Sequence, residues 1–216
     1  MSTMPLPADI QDVLDSSARG IATEILHDQV RGLPHEAIDA LIAVCNTRLQ
    51  NRDYGRIDAN RRAIAKLLVA LLPRSLPTIR LYMLTRSDPY SCEIQFTLCC
   101  FLDDILQFTP PDAGTADAVL TLAKEYLGSV VSDDAYNAFM AADMLADHWE
   151  GDAGMEALLQ IAEQPRYSVG KKAAIGALTD AVRRGTVSAR LAPRINRLTV
   201  EVVSKMVLEC RQYWHD

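Results

Sequence analysis

The stretch SVGKKAAIGALTDAVRRG, Ser168 to Gly185, decides how the chain is read. It holds a Gly-Lys pair, Gly170-Lys171, followed by a run that favours helix. A Walker phosphate loop needs a glycine five residues before the Gly-Lys pair and a Ser or Thr after the lysine. Pro165 stands at the first position and Lys172 at the second. No strand pattern precedes the stretch. Gly170, Ala173, Ala174, Gly176 and Ala177 instead form a face of small residues, which lets two helix axes approach closely. The stretch is predicted to be a packing helix closed by Gly185.

Helical spacing recurs on either side. In GMEALLQIAEQ, Met155, Leu158, Leu159 and Ala162 fall at i, i+3, i+4 and i+7, one face of a helix. No segment alternates apolar and polar residues for long enough to be a strand, and no Asn-Gly or Asp-Gly hairpin turn occurs. Start and stop signals agree with helices. Asp88-Pro89 and Ser75 to Pro77 are start signals, and Thr109-Pro110-Pro111 is a stop. Breaks fall around Gly151 and Pro165. The pattern predicts helices over roughly 8–31, 35–51, 58–72, 76–86, 89–108, 115–130, 133–149, 152–164, 167–184 and 188–213, the last interrupted near Pro193. Taken in order they make five antiparallel hairpins beginning near 8, 58, 89, 133 and 167.

The segment from Asp134 to Val182 resembles the HEAT family of helical repeats. Ala138, Ala141, Ala142 and Leu145 interleave small and apolar residues in a first helix. A polar turn and an ALLQIA helix follow. Then comes a V-x-x-x-A-A-x-x-A-L helix, here Val169, Ala173, Ala174, Ala177 and Leu178. The match is good over roughly 133–184 and weaker over 58–108. The resemblance implies an all-α fold, a short right-handed α-solenoid of about five helix pairs. It would be a single domain over 1–216, with 1–51 and 186–216 as capping repeats. It also implies a non-catalytic adaptor or scaffold with a protein or peptide as partner; the chain's net acidity adds an inhibitor of a basic protein, and no cofactor is expected.

Composition bounds the alternatives. The 216 residues are 49% hydrophobic, enough for a sizeable core without metal or disulfides, and the net charge is -6. Net acidity disfavours a nucleic-acid partner. Cys45, Cys92, Cys99, Cys100 and Cys210 show no C-x-x-C spacing and read as buried free thiols in a reducing compartment. The opening MSTMPLPADIQ has no basic region followed by an apolar stretch, and the longest apolar run, AIAKLLVALL, is too short to span a bilayer. A cytoplasmic location without a membrane is expected.

Searches for chemistry yield little. No two histidines share a helix at i, i+4, and no H-E-x-x-H or G-x-S-x-G occurs. Asp143, Asp147, His148, Glu150 and Asp152 cluster at the end of a helix and read as a solvated helix end and polar turn; because the dipole disfavours acids there, a cation or basic partner is the lesser alternative. The CEIQFTLCCFLDDILQF helix, Cys92 to Phe108, is apolar nearly all round. It reads as a central buried helix, with a small-molecule cavity beside it as the lesser alternative.

Charge is banded along the chain. Nine bases lie between Arg48 and Arg86, against Asp53 and Asp58. Eleven acids lie between Asp112 and Glu163, against Lys124 alone. Ten bases lie between Arg166 and Arg211, against Asp180, Glu201 and Glu209. A solenoid would keep these blocks as surface bands, forming an interface or pairing with one another. On the helix-pair reading, the second helix of each pair lines the partner face. Arg80, Arg86, Glu125, Asp152, Glu156, Glu163, Arg190, Arg194 and Arg197 would stand exposed on it. Reversing charge at Asp152, Glu156 and Glu163 together is then expected to spare the fold. A HEAT-like DNA glycosylase is the competing reading, and it requires a contiguous positive groove.

Overall fold

The computed structural model describes residues 8, 11, 13, 23–50, 57–85, 91–130, 135–166, 168–198 and 200. All regular structure among them is helical. The helices are α1 (Thr23–Arg31), α2 (His35–Gln50), α3 (Ile57–Ala70), α4 (Leu76–Leu84) and α5 (Ser91–Phe108). They continue with α6 (Ala113–Ser129), α7 (Ala135–His148), α8 (Ala153–Ala162) and α9 (Val169–Arg184), and a tenth helix, α10, whose described residues are 192–198 and 200. The chain divides into two compact units, Met1–Val119 and Leu120–Asp216.

In the first unit α3 is the helix surrounded on most sides. It packs against α1, α2, α4 and α5. Its run Ala65 to Leu68 explains this, since Ala65, Leu67 and Leu68 are fully buried. The expected central helix, α5, packs against α1, α3 and α4. It buries Leu98, Cys99, Leu102 and Ile105 but leaves its last residue, Phe108, 63% exposed. α5 also carries a fully buried polar side chain, Gln95. Its amide Nε2 donates to the Met83 carbonyl at 2.8 Å. A helix end leaves carbonyls without intrahelical donors, and Gln95 supplies one for α4.

Local chemistry accounts for the helix ends. The Asp112 carboxylate accepts from the Thr115 amide at 3.0 Å and from the Thr115 hydroxyl at 2.6 Å, so α6 begins at Ala113, two residues ahead of the sequence expectation. Ser75 is the N-cap of α4 as anticipated, yet its hydroxyl donates to the Leu68 carbonyl instead of capping. Pro77 occupies the first turn, where a missing N–H costs little.

In the second unit α9 packs against both α7 and α8, and α7 packs against α8. The interleaved small residues lie in these contacts. Ala138, Ala141, Ala142, Leu145, Ala173 and Ala174 have no exposed surface. The opening stretch folds as expected of a packing helix. The Ser168 hydroxyl accepts from the Lys171 amide at 3.1 Å, and Gly185 closes α9 in the left-handed region at φ 70°. Arg183 and Arg184 stand in its last turn, where positive charge suits the dipole. Pro193 does not interrupt a helix running from 188. Residues 186–191 form turns, and α10 begins at 192 with Pro193 in its first turn.

Two glycines set the helix spacing in this unit. Gly154 and Gly170 are each the second residue of their helix, α8 and α9. A Cβ on Gly154 would lie 1.9 Å from the Leu145 carbonyl oxygen of α7. A Cβ on Gly170 would lie 1.9 Å from the Leu127 carbonyl oxygen of α6. The same seating therefore occurs twice, with hydrogen where any other residue would place carbon.

Candidate functional site

Among the described residues of the second unit, the acidic edge of α8 and the arginines beyond α9 form a dense charged constellation. The α8 spacing places Asp152, Glu156 and Glu163 along one edge of the helix. Arg190 bridges the first two. Its Nε donates to Asp152 Oδ2 at 3.0 Å, and its NH2 lies 3.1 Å from Glu156 Oε1. Arg194 bridges the next two. Its NH1 donates to Glu156 Oε2 at 3.0 Å, its Nε donates to Glu163 Oε1 at 2.6 Å, and its NH2 pairs with Glu163 Oε2. Planar guanidinium forks suit such two-carboxylate contacts.

The pairing perturbs the carboxylates. The Ser188 hydroxyl and the Arg190 guanidinium beside Asp152 hold its carboxyl below the ordinary aspartate value. Arg194 does the same to Glu163, and the Arg194 guanidinium is itself held more firmly protonated by Glu163 and Glu156. The side chains are between 29% and 64% exposed, so water and salt screen the pairs and the network contributes more to register than to stability. Asp152 is the N-cap residue of α8, yet its side chain makes no cap hydrogen bond; the carboxylate is turned to Arg190.

The expected partner-face residues are thus distributed unevenly. Asp152, Glu156, Glu163, Arg190 and Arg194 come together, and they pair with one another. Arg197 is exposed on α10, and Arg80 is exposed on α4. Glu125 is half-buried on α6. Arg86 lies outside the described residues. For the acidic block and the basic block after it, the bands meet internally: Arg184 NH1 of α9 also pairs with Asp147 of α7 at 3.0 Å. Asp152 and Glu156 are 30% and 29% exposed in their side chains, partly covered by arginines, rather than standing free on a surface. The expectation that reversing all three carboxylates would spare the fold omitted these bonds.

The acidic cluster at the end of α7 finds its positive charge within the chain. Asp147 meets Arg184, and Asp152 meets Arg190. Among the described residues no group of three or more His, Cys, Asp or Glu side chains is placed to hold a metal ion. The Gly-Lys pair is likewise used structurally, since Lys171 Nζ donates to the Gln164 carbonyl at 2.6 Å.

The described thiols are free and poorly suited to nucleophilic chemistry. Burial pushes Cys45 up to about 12 and raises Cys99 further still. Half-buried Cys100 is raised by burial and by nearby Asp104. A thiolate, the reactive form, is suppressed at all three. Cys210 and the side chain of Cys92 lie outside the described residues.

Sequence reasoning passed over two surface side chains. Tyr136 and Phe139, at i and i+3 on α7, are 68% and 36% exposed. The Phe139 ring lies over Gly176 of α9, whose Cβ would come 3.1 Å from Cε1. The available signal was their exclusion from the Ala138–Ala141–Ala142–Leu145 contact face. No described helix is long and apolar enough to cross a membrane. Comparison of the chain with protein-family models, curated proteins and solved structures gives no match.

Proposed function

We propose that the chain is a non-catalytic protein-binding module, built as a HEAT-like stack of antiparallel helix pairs and acting as an adaptor, scaffold or inhibitor. The single observation that carries the reading is Tyr136 of α7, 68% exposed, beside the part-exposed edge of Phe139, whose ring rests on Gly176 of α9, while Asn137 and Ala138 between them are buried. Large aromatic side chains on a rigid helix are the side chains that anchor protein interfaces. The helix-pair architecture is supported by the repeated glycine seating at Gly154 and Gly170 and by the packing of α7, α8 and α9.

The banded charge contributes less than its pattern along the chain implied. Arg184, Arg190 and Arg194 already face carboxylates of α7 and α8. The same pairing argues against the DNA-glycosylase alternative, because phosphate binding needs arginines that are not neutralised in place. The test is capture from the native cell with the chain as bait, in parallel with a Tyr136→Ser/Phe139→Ser variant of unchanged circular dichroism. A protein that co-purifies with the unaltered chain and is lost from the variant supports the reading. Retention of nucleic acid alone, with affinity falling steeply as salt rises, refutes it.

A further inference from the structure

We draw no further inference here: the strongest candidate, the surface patch on α7 where exposed Tyr136 stands beside the edge of Phe139 over Gly176 of α9, belongs to the site already described, and nothing in the structure shows what covers it.

Discussion

Replacing Gly154 or Gly170 by alanine tests the packing of the second unit most directly. Alanine is ordinarily the better helix former, favoured over glycine by about 1 kcal/mol in a helix interior. Here the added Cβ would lie 1.9 Å from a carbonyl oxygen of the neighbouring helix, Leu145 for Gly154 and Leu127 for Gly170. Both carbonyl carbons are also close, at 2.9 Å and 3.0 Å. The obstacle is backbone, not the far end of a flexible side chain, so relief requires the start of α8 or α9 to lift by roughly 1 Å or more. Overpacking of this kind costs about 1–3 kcal/mol, and looser packing along α7–α8 or α7–α9 adds to it. At the helix N-terminus the propensity gain is smaller than in the interior, so the net loss is expected to be about 1–2 kcal/mol for each variant. Gly128 is the control. It lies on α6, its nearest neighbour is the Gln164 amide at 4.0 Å, and Gly128→Ala is expected to hold or raise stability by up to about 1 kcal/mol. The assay is urea unfolding followed by far-UV circular dichroism, read as a change in midpoint at constant slope. If Gly154→Ala and Gly170→Ala match the unaltered chain while Gly128→Ala behaves as stated, the close helix approach is refuted.

Other consequences follow from single groups. Gln95→Leu removes the donor to the Met83 carbonyl and is expected to cost about 1–3 kcal/mol in urea unfolding. Gln95→Glu would aim a carboxylate at carbonyl oxygens, raising the folded-state pKa of the new acid. Its destabilisation should therefore grow as pH rises from 5 to 8, and a pH-independent midpoint difference would contradict the burial of this site. The Asp152 and Glu163 carboxyls are held below their ordinary values, so their contribution is full above the unfolded pKa, about 4, and is lost as pH falls through the lower folded values. Arg194→Gln should flatten that acid-side loss in a series of unfolding curves from pH 5 to 2. Cys45 and Cys99 should resist a thiol reagent at pH 8 in the native chain and react on unfolding, and prompt native labelling of either would count against their burial.

Much of the helical organisation was legible because its signals are local. The Ser168 cap, the Gly185 stop and the period of Met155, Leu158, Leu159 and Ala162 lie within a few residues of the structure they produce. The error at Pro193 shares this origin: proline both ends helices and opens them, and local sequence alone does not choose. The site was less legible. Arg190 and Arg194 meet carboxylates 31 to 38 residues away, and no sequence pattern distinguishes an arginine awaiting a partner from one already paired. The charge blocks were visible, but their mutual neutralisation was not. Gln95 reads as a polar residue on an apolar helix until the end of α4 is placed beside it.

By itself the sequence determined that this chain is helical, where many of its helices begin and end, and which small-residue faces they bring together. These follow from backbone hydrogen bonding and side-chain period, which act within one or two turns. Tertiary structure alone decided that Gly154 and Gly170 must lack a Cβ, that the acidic edge of α8 is filled by the chain's own arginines, and that Tyr136 stands exposed while the Phe139 ring rests on Gly176. Each of those depends on which helix lies against which, and the meeting of distant residues is a property of the packed unit rather than of any local stretch.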